Sequence, residues 1–184
     1  MSVETCTIAE IARSLKAREV RSETVTQHCL DRIAERNTSL NAFISVLGDE
    51  ACAQARQADR EMDAGRHRGP LHGVPISLKD LIDLRGVPTT AASRVRQDHV
   101  ASADAPIVSR LRAAGAVIIG KTNLHEFALG TTNEDSAFGP ARHPLDLSRS
   151  PGGSSGGSAV SVLAGMAYAS IGTDTGGSVR IPAA

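Results

Sequence analysis

The stretch 106–122, Pro-Ile-Val-Ser-Arg-Leu-Arg-Ala-Ala-Gly-Ala-Val-Ile-Ile-Gly-Lys-Thr, decides the fold class. Residues 106–114 place Ile107, Val108 and Leu111 at helical spacing, with Ser102 or Asp104 upstream as a cap and Gly115 as the stop. Residues 116–119 then form an uninterrupted apolar run with no polar alternation, the pattern of a strand buried on both faces of a parallel sheet. Working outward, 74–78 is a second short apolar run, 156–165 reads as a helix and 167–171 as the next strand. Strand, helix and strand in that order predict parallel crossover units and an α/β fold.

The first third is predicted helical. Residues 7–15 carry Ile8, Ile11, Ala12 and Leu15 on one face, and Ser22 is placed to cap a second helix with Val25, Cys29 and Ile33 on its apolar side. Residues 41–47 read as a short strand, and 49–64 as an alanine-rich amphipathic helix stopped by Gly65. The expected organisation is a mainly helical lead-in over 1–70 and an α/β catalytic part over 71–184. The last residues, Ile181-Pro182-Ala183-Ala184, begin a helix without a polar tail, so the sequence reads as the N-terminal portion of one larger domain. Alone, such a piece is expected to be poorly soluble and inactive, because a sheet of about three strands leaves edges and faces uncovered.

Composition narrows the function. The 184 residues hold 20 basic and 20 acidic side chains, and a net charge of zero offers no field to recruit nucleic acid or an anionic membrane. No apolar run approaches the roughly 20 residues that span a bilayer. Glu4, Glu10, Arg13 and Lys16 occupy the place where a signal peptide would be apolar. Cys6, Cys29 and Cys52 show no paired spacing and read as small apolar residues in a reducing compartment, so a cytoplasmic location is expected. With no tryptophan, one tyrosine and three phenylalanines, the core must be built from Ala, Val, Ile and Leu. Lysine is scarce, three against seventeen arginines, so a lysine inside an apolar segment is less readily an interchangeable surface charge.

Two glycine-serine clusters carry the chemical signal. The run Ser150-Pro151-Gly152-Gly153-Ser154-Ser155-Gly156-Gly157-Ser158 has linker composition, yet it leads directly into a helix of small residues. Gly172-Thr173-Asp174-Thr175-Gly176-Gly177-Ser178 follows a strand and precedes a helix, where backbone N–H groups turn outward toward an anion; a tight turn with a serine cap is the plainer reading. Neither cluster ends in the Gly-Lys-Ser/Thr of a phosphate-binding loop. Gly152 to Gly156 fits the G-x-S-x-G elbow, but all six histidines precede Ser154 and that chemistry needs one downstream. A serine-lysine hydrolase needs only a buried lysine whose pKa falls by about three units. Lys79, at the end of Val74-Pro75-Ile76-Ser77-Leu78, and Lys121, after 116–119, both qualify, and spacing does not separate them. Lys79 could equally terminate a strand with Asp80 as its partner.

Taken together, Gly73-Val74-Pro75-Ile76-Ser77-Leu78-Lys79-Asp80, the two clusters, Gly120-Lys121-Thr122-Asn123-Leu124 and Phe138-Gly139-Pro140 resemble the amidase signature family over nearly the whole chain. The resemblance implies an α/β fold whose mixed sheet is covered by helices, in a chain more than twice this long. It implies a Ser-Ser-Lys triad: Lys79 as base, Ser154 as bridging serine after a cis peptide bond and Ser178 as nucleophile, with no catalytic counterpart for Lys121. It further implies an oxyanion hole from the backbone of Thr175, Gly176 and Gly177 with Ser178, and supporting roles for Ser155, Asp174 and Arg180. The expected reaction is hydrolysis of a carbon–nitrogen amide bond in a small molecule, without metal or organic cofactor and without direct nucleic-acid or membrane binding; a homodimer is compatible with it. A related alternative is the glutaminase component of the aminoacyl-tRNA amidotransferase, working with the other amidotransferase subunits. The segments Asp146-Leu147-Ser148-Arg149 and Thr173-Asp174-Thr175 are similar to it, whereas Leu81, His125 and Ile181 stand where asparagine, aspartate and glutamine are usual, and favour a stand-alone amidase. An inactive fragment is the remaining alternative.

Overall fold

The computed structural model of the protein describes residues 7–184. Cys6 and the acidic Glu4 lie outside the described residues. Helix α1 (Ile8–Ala17) opens with a reciprocal capping box between Thr7 and Glu10 and buries Ile11 and Leu15. Helix α2 (Ser22–Leu40) follows, then strand β1 (Phe43–Val46) and helix α3 (Gly48–Asp63). Strand β2 (Pro75–Lys79) leads through a long irregular stretch to helix α4 (Pro106–Ala113) and strand β3 (Val117–Thr122). A second irregular stretch precedes helix α5 (Gly156–Leu163), strand β4 (Ala169–Ile171) and the short helix α6 (Arg180–Ala183).

The sheet has the order β1-β3-β2-β4. The strands β2, β3 and β4 are parallel, and β1 joins antiparallel at the edge, so the sheet is mixed and α/β as the sequence implied. The helix and strand assignments from periodicity agree with the observed elements to within a few residues, but two caps differ. Ser22 is the first residue of α2 rather than its cap; the helix start is held by the Asp59 carboxylate of α3, which accepts the N–H groups of Ser22 and Glu23 at 2.8 and 3.1 Å. Asp104 does not cap α4 either: it accepts the Arg85 N–H and pairs with Arg112. In both places a tertiary partner outcompetes the local cap.

Two apolar clusters lie on the two faces of the sheet. One gathers Ile76, Leu78 and Ile118 with α1 and α4; the other gathers Val117 and Ile119 with Val160 and Ala164 of α5. This is the period-two alternation of strands, with both faces buried. The pairing of β2 with β3 slips between Ile76 and Ser77: Ile76 faces Ile118, but Ser77 faces Gly120. The extra residue is a bulge, and beyond it Leu78 is aligned with Lys121 and Lys79 with Thr122. Lys79 and Thr122 therefore point to the α5 face, and Lys121 points to the opposite one.

Candidate active site

Lys79 is the last residue of β2 and is fully buried. Its Nζ donates to Ser154 Oγ at 2.7 Å and to Thr173 Oγ1 at 2.8 Å. Burial disfavours the ammonium and lowers its pKa to about 8, against the opposing pull of the Asp174 charge. Its neutral form is therefore far more accessible near neutral pH than that of an ordinary lysine. Asp80 is not its partner: the Asp80 side chain turns to the other face and meets Lys121 there.

Ser154 sits in the first glycine-serine run, which is a packed loop rather than a linker. The peptide bond Gly153–Ser154 is cis. A Cβ on Gly153 would lie 2.8 Å from the amide nitrogen of Asn133 and 2.9 Å from that of Thr132, so only glycine fits this backbone crossing. The Ser154 carbonyl accepts the His125 N–H at 3.0 Å, and α5 begins two residues later. Below it, Ser158 and Ser161 of α5 reach Thr122 and Ser77 through hydroxyl pairs at 2.9 and 3.0 Å, which fasten the helix to the strands.

The second run follows β4. Because Leu78 of β2 is aligned with Ile171 of β4, the residues just beyond each strand meet, which brings Thr173 to Lys79. Ser155 ties the two runs together: its N–H donates to the Ser178 carbonyl at 3.0 Å and its hydroxyl to the Thr173 carbonyl at 3.2 Å. Asp174 knots the loop. Its carboxylate accepts the N–H groups of Gly177, Val179 and Arg180 and a two-point contact from the Arg180 guanidinium at 3.0 Å. The Arg180 hydrogen bonds and these amides hold the Asp174 carboxyl well below the usual carboxylate range.

The triad members inferred from sequence are thus brought to one place, joined to different degrees. Lys79 and Ser154 are hydrogen-bonded through their side chains, whereas Ser178 is linked through its backbone, and among the described residues no hydrogen bond joins the Ser154 and Ser178 hydroxyls. Of the amides expected to bind an oxyanion, that of Gly177 is engaged by Asp174 at 2.7 Å; those of Thr175, Gly176 and Ser178 have no acceptor among the described residues. A cavity of about 720 Å³ opens beside these loops, bordered by Gly152, Ser155, Gly172, Val179 and Ile181. Lys79, Ser154 and Ser178 do not line it, so it flanks the cluster rather than containing it. Among the described residues no three His, Cys, Asp or Glu side chains gather to hold a metal ion, and no helix is long and apolar enough to cross a membrane.

Sequence reasoning missed Thr173 as a partner of the lysine and the His125 amide as a support of Ser154. The signal for Thr173 lies in the sheet order, since two parallel neighbours bring the residues after their ends together.

Known proteins share this sequence and fold over nearly the whole chain. The family model described as Amidase matches residues 24–184. The chain is 52% identical over 178 residues to the A subunit of the glutamyl-tRNA(Gln) amidotransferase of Acidothermus cellulolyticus, covering 97% of this chain and 35% of that protein. Among solved structures, the peptide amidase of Stenotrophomonas maltophilia superposes with a TM-score of 0.89 at 44% identity, over 96% of this chain and 38% of that one. The A subunit of the Thermotoga maritima glutamyl-tRNA(Gln) amidotransferase gives a TM-score of 0.81 at 39% identity, over 100% and 37%. The chain spans about a third of the length of the curated relatives it matches. On the matched residues, the shared fold and the glycine-serine loops around Lys79, the chain belongs to the amidase family, the amidase-signature enzymes.

Proposed function

We propose that the protein hydrolyses a carbon–nitrogen amide bond through an acyl-enzyme on Ser178, with Lys79 as the base and Ser154 as the bridge. The observation that carries this reading is the buried Lys79, its pKa lowered to about 8 and its Nζ 2.7 Å from a serine hydroxyl. Neutral Lys79 accepts the Ser154 proton while Ser154 takes that of Ser178, and the freed Ser178 oxygen attacks the amide carbonyl. A hydroxyl both donates and accepts, so Ser154 can pass the proton in either direction. The developing oxyanion is met by the amides of Thr175, Gly176 and Ser178, while that of Gly177 stays engaged by Asp174 and shapes the loop; each free donor contributes about 3 kcal/mol in the transition state. Lys79 returns its proton through Ser154 to the leaving nitrogen, and water then releases the carboxylate. Asp174 and Arg180 hold the loop in shape, and Ser155 keeps the two runs in register.

The amide itself has two readings. The 52% identity to the A subunit of an amidotransferase favours glutamine as the ammonia source and partner subunits as the acceptors of that ammonia. The apolar Ile181, which stands where the glutaminase component usually has glutamine and borders the cavity beside both loops, favours a stand-alone amidase with an apolar acyl group. Ammonia release by the full-length protein across glutamine, aliphatic and aryl amides separates them, with Ser178→Ala as control. Turnover of simple amides that vanishes in the variant supports the stand-alone reading. Glutamine-only turnover that rises with partner subunits and tRNA supports the other, and activity that survives in Ser178→Ala overturns the proposed nucleophile.

A further inference from the structure

Behind the candidate site lies a second buried lysine for which the proposed reaction has no use. Lys121 and Asp80 are both fully enclosed, with side-chain exposures of 0% and 1%, and their charges meet at 2.6 Å. The contact is an ion pair off the hydrogen-bond direction, and the Lys121 ammonium also donates to the Pro88 carbonyl at 3.1 Å and to Thr89 Oγ1 at 3.2 Å. The other Asp80 oxygen accepts the Thr90 N–H at 3.0 Å and the Thr90 hydroxyl. Burying two charges costs several kcal/mol per ion, and a hydrophobic pair of the same size is often as stable. Stability alone therefore does not account for the pair.

Its surroundings supply a reason. Asp80 holds a turn in which two consecutive buried alanines, Ala91 and Ala92, take left-handed φ values of 53° and 58°. Such a turn persists only where its surroundings determine it. The Asp80 carbonyl accepts the Ala91 N–H, and the Thr90 hydroxyl accepts that of Ala92. From the turn, the carbonyls of Ala91 and Ala92 accept the N–H groups of Phe127 and Ala137, both in the stretch after β3 whose His125 N–H supports the Ser154 carbonyl. Asp80 is thus bonded by its peptide to Lys79 on one side and by a chain of hydrogen bonds to Ser154 on the other.

We propose that Lys121 and Asp80 form a positioning pair, which fixes Lys79 against Ser154 from behind the sheet and cancels a carboxylate charge that would otherwise keep Lys79 protonated. The proposal rests on Lys79 acting as the base. Charged groups around Lys79 are Asp174 with its partner Arg180 from the loop after β4, Asp80 beside it on its own strand, Lys121 from β3, and the His125–Asp135 contact from the loop after β3. Of these, Asp80 is the one whose compensation is complete and buried.

The test is the pH dependence of kcat/KM for amide hydrolysis by the full-length protein. Lys121→Met leaves Asp80 unpaired and should move the acid limb up by roughly one pH unit, whereas Asp80→Asn leaves Lys121 unpaired and should move it down by a similar amount. A purely structural role predicts lower activity with no opposed displacement, and two folded variants whose limbs coincide with the wild type overturn the proposal. Circular dichroism reports whether each single variant folds. Where one does not, the charge-free Asp80→Asn/Lys121→Gln double variant is compared with the single variant that folds: a limb displaced in the single variant and returned to the wild-type position in the double supports the pair, and a limb that is the same in both overturns it. Lys79→Met is the control for the underlying reading. Activity in that variant defeats the assignment of the base itself, whereas its inactivity together with unmoved limbs defeats the positioning pair alone.

Discussion

Lys79→Met should abolish hydrolysis and, at neutral pH, leave the fold at least as stable. In the unfolded chain Lys79 titrates at its ordinary value of 10.5, and in the folded protein at about 8. Each pH unit is about 1.4 kcal/mol, so the folded state carries a penalty of about 3 kcal/mol whenever the pH lies below 8. The sign is fixed by proton counting: between pH 8 and 10.5 the unfolded chain binds more protons than the folded one, so stability rises with pH across that window. Methionine removes the penalty and fills a similar volume. It also removes the donations to Ser154 and Thr173, each worth about 1 kcal/mol net, which leaves a gain near 1 kcal/mol at pH 7. Urea unfolding of the wild type and the variant, from pH 7 to pH 10.5, measures this directly. Other titrating groups cancel in the difference, so the wild type should recover about 3 kcal/mol relative to the variant as pH rises. A difference that stays flat with pH would refute the reasoning, because Lys79 would then have no depressed pKa to relieve.

Three further substitutions test the supports of the site. Thr173→Val keeps the shape and removes the 2.8 Å acceptor of Lys79; steady-state kinetics should show kcat/KM falling about tenfold, and an unchanged value would remove Thr173 from the site. Gly157→Ala would place a Cβ 2.5 Å from the carbonyl oxygens of Ala42 and Asn123, both backbone atoms that cannot swing aside. Overpacking of this kind should cost about 2 kcal/mol or more in chemical denaturation, and a neutral result would mean that α5 can shift. Asp59→Ala removes the acceptor of the Ser22 and Glu23 N–H groups at the start of α2, so thermal unfolding should report a loss of about 1–2 kcal/mol.

Much of the architecture was legible because periodicity and punctuation agree along the chain. The apolar run 116–119 is a strand whose alternate residues enter opposite clusters, and Gly65 and Gly115, both with positive φ, stand just after the helices they were expected to end. What escaped notice depends on contacts between distant residues. No local signal near Ser22 announces that its helix is capped by Asp59, 37 positions away. The partners of Lys79 lie 75 and 94 positions downstream, and they meet it only because β4 lies against β2. The glycine-serine runs were ambiguous for the same reason: composition alone allows a linker, and it is the packing of Gly153 against the Asn133 backbone that makes the first run a rigid support. Burial, too, had to come from the fold, since the same lysine at an exposed strand end would remain an ordinary ammonium.

The bulge in β3 has a consequence for engineering. Counted by simple parity from Val117 and Ile119, Lys121 belongs on the side of the serine loops, and the register shift that leaves Ile119 without a partner between Ile118 and Gly120 reverses the count. A one-residue deletion at the bulge would restore an even ladder and leave Lys121 beside Asp80, whereas a strand of unchanged length that lost its bulge would carry Lys121 across the sheet toward the neighbourhood of Lys79 and strand Asp80 without its cation. Substitutions that flatten the bulge, and chimaeras joined within this strand to a segment that lacks it, therefore exchange one buried lysine for the other while leaving the composition almost untouched. Junctions for grafting this part of the molecule belong outside 117–122, where a length change does not decide which side of the sheet receives the charge.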